Sequence, residues 1–204
     1  MNNESKFDNT IKLLLIGDSS VGKTNFIFRF VDNRFQTVHL TTIGFDFKSK
    51  IVTLPNSKKT LKLQIWDTAG QERYMSLNQN LFLKVHGVIL MYDISNRESF
   101  DHLTKWLDLI KDAINDIPIV LVGNKIDKEE ERLVSYNEGE QLAKELNISF
   151  FESSGKENKN VKEPFYSLCE EIINKMKNER TSTNNFSINN QKEKEKKKKC
   201  CKNF

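Results

Sequence analysis

The chain has 204 residues, 37% hydrophobic and 29% charged, which is enough for one compact domain of ordinary size with an appendage. Its net charge of +4 is unevenly placed: residues 191–204 carry seven Lys against two Glu, so the rest of the chain is close to −1. A nearly neutral body argues against a nucleic-acid-binding protein, whereas the basic end favours contact with an anionic surface, either a membrane or a polyanion.

The cysteines and the apolar runs bear on the cellular compartment. Cys169 falls within a helical pattern, and Cys200 and Cys201 are adjacent near the end, so we expect neither a disulfide framework nor a metal site from them. This usage is typical of a reducing compartment. The first residues lack a hydrophobic signal core, and no apolar run approaches 18 residues, so we expect a protein that is neither secreted nor membrane-spanning.

Periodicity in the first half of the chain predicts a strand, a helix and a hairpin. Residues 11–16 form a short apolar run of strand length, and a helix is expected to follow and to end at about Asp32. Apolar and polar residues alternate over 45–54 and again over 60–66, with the turn sequence P-N-S between them, which predicts an antiparallel hairpin. A polar loop is expected from Asp67 onwards.

The second half alternates regularly between strand and helix patterns. Strands are expected at residues 87–92, 118–122 and 148–151, and helices over residues 100–114, 135–146 and 161–176. Ser135 and Glu138 form a capping-box pattern at the start of the second of these helices. We interpret the apolar stripes, including Trp106 and Cys169, as core. The alternation predicts an α/β fold with a mostly parallel sheet, helices on both faces and ligands at the carboxyl ends of the strands.

The stretch from Gly17 to Thr24, G-D-S-S-V-G-K-T, fits the phosphate-binding pattern G-x-x-x-x-G-K-S/T and lies between the first predicted strand and helix. In such a loop, backbone N–H groups and the positive end of the following helix surround a di- or triphosphate. Lys23 is expected to reach the outer phosphates, and the hydroxyl of Thr24 to bind Mg²⁺. On its own this loop is as compatible with ATP as with GTP. The candidate phosphate-binding residues are Gly17, Ser19, Ser20, Val21, Gly22, Lys23 and Thr24.

A second motif, D-T-A-G-Q at residues 67–71, follows the strand that ends at Trp66. A carboxylate at Asp67 is suited to hold Mg²⁺, usually through water, and Gly70 can present a backbone N–H to a γ-phosphate. Gln71 is the candidate for orienting an attacking water. A solvated turn explains any one of these residues but not the set.

A third motif, N-K-I-D at residues 124–127, lies at the end of another strand, and its candidate base-binding residues are Asn124, Lys125 and Asp127. The carboxylate of Asp127 can accept hydrogen bonds from the ring N–H and the exocyclic amine of guanine, and adenine would leave it unpaired. Sites with such polar pairing discriminate by about 10⁴ or more, so the motif favours guanine. Ser154, Gly155 and Lys156 follow the last strand, and their backbone N–H groups are candidates for binding the guanine oxygen.

These motifs, together with T-I-G-F-D-F (residues 42–47), K-L-Q-I-W-D-T-A-G-Q-E-R-Y (residues 62–74), E-S-S-G-K (residues 152–156) and the terminal C-C-K-N-F, resemble the Rab family of Ras-like small GTPases. The resemblance covers about residues 7–178. Its opening K-L-L-L-I-G-D-S (residues 12–19) and the T-I-G-F-D-F segment are most similar to the exocytic, post-Golgi branch. It implies a P-loop small GTPase domain over residues 1–178, with a six-stranded sheet that is mostly parallel and has one antiparallel edge strand. Residues 179–204 are then a flexible hypervariable tail.

The resemblance also implies roles for further residues. Thr42 is expected to bind Mg²⁺ and the γ-phosphate in the GTP state, and Phe35 to pack against guanine, although Phe35 could instead be a core aromatic at a helix end. Residues 35–47 and 68–79 would be the two switches. Gln71 and Lys23 are the expected catalytic residues of slow GTP hydrolysis. Expected partners are an exchange factor, an activating protein, effectors, a prenylation escort and a GDP-dissociation inhibitor, for a monomeric protein.

The tail and three departures from the family pattern complete the prediction. Cys200 and Cys201 resemble the geranylgeranylated pair of Rab tails, which implies the cytoplasmic face of intracellular membranes with a cytosolic pool. His39 replaces an aromatic residue of the family pattern, residues 75–85 diverge from the family sequence, and Gly155 replaces Ala.

The alternative functions are a nucleotide-responsive scaffold with negligible hydrolysis, a P-loop ATPase or kinase, and a nucleic-acid-binding module that uses the lysine run.

Overall fold

The structure is a computed structural model that describes residues 7–37, 45–68, 84–114 and 116–178. Within these described ranges, six strands form one sheet in the order β2-β3-β1-β4-β5-β6, and only β2 at one edge is antiparallel to its neighbour, which confirms the predicted sheet. The strands are β1 (Asn9–Ile16), β2 (Phe45–Thr53), β3 (Thr60–Thr68), β4 (Gly87–Asp93), β5 (Ile119–Asn124) and β6 (Ser149–Ser153).

The described helices are α1 (Lys23–Asp32), α2 (Arg97–Asp101), α3 (Leu103–Ala113), α4 (Tyr136–Leu146) and α5 (residues 162–178), with a 3₁₀ helix at Ile126–Glu131. The predicted capping box is confirmed: Ser135 Oγ accepts from the backbone N–H of Glu138, whose carboxylate accepts from the N–H of Ser135. The single helix expected over residues 100–114 is wrong in one respect, since it begins at Arg97 and is divided at His102.

Apolar side chains cover both faces of the sheet, because successive residues of a strand point to opposite faces. On one face, Leu14 and Leu90 pack in a cluster with Trp106 and Leu107 of α3. The residues that alternate with these along the strands, including Leu13 and Leu15 of β1, point to the other face and are also fully buried. Phe30 of α1 stacks on Phe165 of α5, with ring centroids 3.8 Å apart. Cys169 is fully buried, as the apolar stripe predicted.

The four strands β3 to β6 extend further at their carboxyl ends than the sequence predicted. The expected loop at Asp67 is wrong by two residues, because Asp67 and Thr68 are buried within β3. In the same way, Asp93, Asn124 and Ser153 end the strands β4, β5 and β6 as buried polar residues, in register with one another. Their side chains are hydrogen-bonded or ion-paired, which offsets the cost of burial and lets the ladder continue. The predicted motifs therefore lie at the carboxyl ends of the strands.

The chain divides into two units, residues Met1–Glu170 and residues Glu171–Phe204. The first contains the whole described sheet and the helices α1 to α4. The described part of the second is the end of α5, residues 171–178.

Candidate nucleotide site

Two glycines give the loop between β1 and α1 its shape. Gly17 has a φ of 146°, and a Cβ placed there would lie 2.1 Å from the carbonyl oxygen of Met91. Gly22 has a φ of 102°, and a Cβ there would lie 2.5 Å from Nδ2 of Asn124. Both positions therefore need glycine for backbone conformation and for space. Ser19 and Ser20 lie exposed at the turn between them, and Ser20 also has a positive φ of 65°.

Lys23, the first residue of α1, places its ammonium group inside this loop. The Nζ donates to the carbonyl oxygens of Gly17 at 2.8 Å and of Asp18 at 2.7 Å, and the residue is only 5% exposed. Burial lowers the pKa of Lys23 to about 8, although the nearby carboxylates of Asp67 and Asp18 act in the opposite direction. Among the residues that the structure describes, no side chain caps the amino end of this ten-residue helix. A buried cation beside an uncapped helix start is suited to bind an anion.

Thr24 and Asp67 meet next to this ammonium group. The Thr24 hydroxyl donates to Oδ2 of Asp67 at 2.5 Å, and Asp67 is 5% exposed. A hydroxyl and a carboxylate are hard oxygen donors of the kind that Mg²⁺ takes from proteins, with phosphate oxygens and water supplying the other ligands. The donor chemistry of this pair therefore fits Mg²⁺.

Asn124, the last residue of β5, connects the base motif to the phosphate loop. Its Nδ2 donates to the carbonyl oxygen of Val21 at 2.9 Å, and its Oδ1 accepts from the Ser153 hydroxyl at 3.3 Å and from the Gly155 N–H at 3.4 Å. The next residue, Lys125, has a positive φ of 70° and forms a 2.8 Å ion pair with the buried carboxylate of Asp93.

Asp127 lies in the 3₁₀ helix and is held by the loop after β6. The Ser154 hydroxyl donates to its Oδ1 at 2.6 Å, and Nζ of Lys156 lies 3.8 Å from its Oδ2. The side chain of Asp127 is 8% exposed. A nearly buried carboxylate with one oxygen fixed in this way is pre-oriented for a second set of donors.

The comparisons with known proteins agree with this geometry. A sequence model of the Ras family matches residues 12–174. The chain belongs to the Ras family. It is 49% identical over 174 residues to the Ras-related protein Rab-3 of Caenorhabditis elegans, covering 85% of this chain and 78% of that one. It is 48% identical over 170 residues to the Ras-related protein Rab-10 of Diplobatis ommata, covering 83% and 84%. It is also 48% identical over 174 residues to the GTP-binding protein Rab-3D of Rattus norvegicus, covering 85% and 78%.

These relatives confirm the resemblance to Rab proteins. The chain is a Rab-like small GTPase: it binds guanine nucleotide, hydrolyses GTP and acts in vesicle trafficking. The scaffold alternative with negligible hydrolysis is not favoured.

Sequence reasoning on this Ras-family chain missed three residues of the site. Asp93 pairs with Lys125, and its position directly after a predicted strand next to β5 was the signal that could have found it. Arg29 of α1 donates to the carbonyl oxygens of Gly155 and Lys156 at 2.9 and 3.0 Å. Asp18 accepts from two residues at the α2–α3 junction and in α3. Neither Arg29 nor Asp18 lies in a pattern that indicates such contacts.

Phe35 lies half-buried beyond the end of α1, with its ring centroid 6.0 Å from the guanidinium carbon of Arg29. It is not among the buried core residues, which disfavours the alternative of a core aromatic. Asn25 and Gln36 fix the chain next to it through two reciprocal hydrogen bonds of 2.9 Å. Through Arg29, Phe35 therefore lies near Gly155 and Lys156, two of the residues predicted to bind guanine.

Several predicted residues of this Rab-like chain lie outside the described residues. They are His39, Thr42, Gly70, Gln71, Cys200 and Cys201, with most of the segment 75–85 and all of the tail 179–204. Among the helices of the described residues, none is long and apolar enough to cross a bilayer.

Proposed function

We propose that this chain is a molecular switch that binds GDP and GTP with Mg²⁺ and recruits effectors to a membrane while GTP is bound. The observation that carries the proposal is the 2.9 Å hydrogen bond from Asn124 to Val21, which joins the base motif directly to the phosphate loop. A site built this way engages a base and its phosphates in one binding event.

On the base side, Asp127 selects guanine. Its carboxylate accepts from the ring N–H and the exocyclic amine of guanine, and adenine would leave this buried acceptor unpaired. The 2.6 Å hydrogen bond from Ser154 supports this role, because it fixes the carboxylate before the base arrives. The remaining base-side residues are Phe35, Asn124, Lys125, Ser154, Gly155 and Lys156.

On the phosphate side, Lys23 and the N–H groups of residues 17–24 hold the phosphates, and Thr24, Thr42 and Asp67 hold Mg²⁺. Bound Mg²⁺ supplies positive charge to the phosphates. Gln71 orients a water that attacks the γ-phosphorus while the bond to the bridging oxygen breaks, and Gly70 donates its N–H to the γ-phosphate. The ammonium group of Lys23 stabilises the charge that moves onto the leaving oxygen.

Turnover is slow and depends on partners. Only 17 residues separate Thr24 from Thr42, too few for an inserted domain that provides an arginine in cis. Intrinsic hydrolysis is then on the order of 10⁻⁴ s⁻¹. An activating protein completes the site, an exchange factor releases GDP, and effectors read the GTP state. A prenylation escort and a GDP-dissociation inhibitor handle the lipidated monomer.

Membrane attachment is assigned to the end of the chain. Residues 1–178 form the GTPase domain and residues 179–204 a tether whose last part carries seven Lys. One lipid chain gives only marginal anchoring, so geranylgeranyl groups on Cys200 and Cys201, with the lysines, account for stable binding to an anionic leaflet. The proposed location is the cytoplasmic face of vesicles between the Golgi and the plasma membrane, with a cytosolic pool.

Competition for a fluorescent GDP analogue tests the base assignment. We expect GDP and GTP to displace the analogue and ATP to fail by about 10⁴ in affinity. Asp127→Asn should exchange guanine for xanthine, because the amide donates where xanthine carries an oxygen. Glu130→Gln, which changes an exposed carboxylate near Asp127 in sequence, is the matched control. Equal displacement by ATP contradicts the proposal.

Imaging the tagged chain beside its Cys200→Ser/Cys201→Ser variant tests the membrane assignment.

A further inference from the structure

The phosphate loop contains a carboxylate, Asp18, that is bound to donors outside the loop. Its Oδ1 accepts from the indole N–H of Trp106 at 2.7 Å, and its Oδ2 lies 2.7 Å from Nδ1 of His102. A carboxylate only accepts, so the imidazole nitrogen donates in this contact. Both oxygens of Asp18 are therefore engaged by side chains at the α2–α3 junction and in α3.

The backbone of Asp18, unlike its carboxylate, supports phosphate binding. Its carbonyl oxygen accepts from the ammonium group of Lys23 at 2.7 Å, so this peptide helps to place the cation that meets the phosphates. The carboxylate also acts on Lys23 electrostatically, since it raises the pKa of that residue against the effect of burial. One residue thus combines a backbone group that supports phosphate binding with a charge of the same sign as the phosphates.

That charge repels the phosphates unless it is held away from them. Like charges a few ångströms apart interact strongly where water is excluded, and GTP carries one more phosphate than GDP. A carboxylate free to rotate in the loop therefore opposes GTP more than GDP. Hydrogen bonds to both of its oxygens fix its direction and disperse its charge.

The two donors are well suited to this task. Trp106 is 2% exposed and packs in the core cluster with Leu103 and Leu107, so its N–H has a fixed position. A buried indole N–H requires an acceptor, which makes the contact with Asp18 costly to break. His102 lies at the junction between α2 and α3, with 40% of its side chain exposed.

We propose that Trp106 and His102 are positioning residues that hold the Asp18 carboxylate away from the bound phosphates and thereby set the preference of the site for GTP over GDP. The inference rests on the proposed nucleotide site. It adds that the region from His102 to Trp106, whose side chains belong to no phosphate-binding motif, determines which nucleotide state the loop favours.

The test measures the affinities of the full chain for GDP and for a non-hydrolysable GTP analogue, both with Mg²⁺. Trp106→Phe removes the N–H but keeps an aromatic ring in the core, and His102→Ala removes the second donor at a half-exposed position. We expect the GTP-to-GDP affinity ratio to fall about fivefold to tenfold in the double variant, and less in each single variant. Adding Asp18→Asn to the double variant should restore the ratio, because the repelling charge is gone.

A matched variant separates this role from general support of the fold. Ile110→Val lies on the same buried face of α3 and should lower the unfolding temperature without changing the affinity ratio. If Trp106→Phe does not fold, His102→Ala and its Asp18→Asn rescue decide the question. An unchanged ratio in the folded variants, or no rescue by Asp18→Asn, overturns the inference. A wild-type chain that binds neither nucleotide refutes the proposed function instead.

Discussion

Asn124 donates a hydrogen bond of 2.9 Å to the carbonyl oxygen of Val21, across 103 positions of the chain. Asn124 is the last residue of strand β5, and Val21 lies in the phosphate loop before α1. The oxygen of the same amide accepts from Ser153 and from the N–H of Gly155. One side chain therefore fixes the phosphate loop, the end of β6 and the base-side loop relative to one another.

Replacing this amide should weaken the binding of GDP and GTP together. Asn124→Ala leaves the carbonyl of Val21 and the N–H of Gly155 without this partner in a buried place, at a cost of ~1–3 kcal/mol. We expect GDP and GTP to be released about tenfold to a hundredfold faster, as measured with fluorescent nucleotides. Asn137→Ala, at an exposed position of α4, is the control. Faster release of only one nucleotide would show that Asn124 does not couple the two halves of the site.

A side chain at Gly22 should abolish nucleotide binding. In Gly22→Ala the new Cβ would lie 2.5 Å from Nδ2 of Asn124, at a φ of 102° that alanine rarely adopts. The loop must move to relieve the contact, and we expect the affinity for GDP to fall by more than about a hundredfold, as measured by titration calorimetry. The idea fails if the variant binds GDP like the wild type.

Gly155→Ala, in contrast, should stabilise the folded protein. A Cβ at Gly155 meets its nearest atoms, the Cα and N of Phe26, at an ordinary contact distance of 3.7 Å, and the backbone there needs no positive φ. The substitution removes freedom from the unfolded chain, so we expect the free energy of unfolding to rise by ~0.4–1 kcal/mol. Chemical denaturation measures it. Gly139→Ala is the contrasting control, because its Cβ would lie 2.4 Å from the hydroxyl of Tyr92, and it should destabilise the protein.

Much of the site was visible in the sequence because its motifs follow apolar runs. The runs at 11–16 and 87–92 located the central strands, and the rule that strand ends meet brought Thr24, Asp67 and Asn124 to one edge. The carboxyl ends of β3 to β6 were predicted too short. A pattern based on polarity treats Asp93 and Asn124 as loop residues, whereas their hydrogen bonds and ion pair let them stay buried in the sheet.

Side-chain contacts between residues that are far apart in sequence could not be predicted in this way. Trp106 fits an apolar helical stripe and is indeed buried, yet its indole N–H contacts Asp18, which lies 88 positions away. Arg29 binds backbone carbonyl groups, and any residue type supplies those. Such contacts depend on how the chain folds back on itself, which neither periodicity nor motif spacing encodes.

Cys169 should resist alkylation up to strongly alkaline pH. Burial raises the pKa of its thiol from 9.0 to about 12, with a smaller contribution from Glu170, so the reactive thiolate is scarce well above the pH at which an exposed thiol ionises. In the Cys200→Ser/Cys201→Ser variant we expect no iodoacetamide adduct on the folded protein at pH 9 and one adduct after unfolding, as measured by intact mass. Rapid labelling of the folded variant would contradict the buried position of Cys169.

Arg29 should control how long GDP stays bound without affecting hydrolysis. Its guanidinium group donates to the carbonyl oxygens of Gly155 and Lys156 and, at 3.1 Å, to that of Asn33, and it lies near the ring of Phe35. It therefore connects the loop after β6 to Phe35, which are the two sides of the proposed base pocket. Arg29→Gln loses most of these charge-assisted hydrogen bonds, and we expect GDP release to become about tenfold faster.

The phosphate side of the site lies at the other end of α1, so single-turnover hydrolysis of bound GTP by Arg29→Gln should match the wild type. Arg34→Gln is the matched control, because Arg34 is an exposed arginine just beyond the same helix. GDP release from Arg34→Gln should therefore be unchanged. If Arg29→Gln slows hydrolysis while GDP release stays normal, Arg29 acts on the phosphates and not on the base pocket.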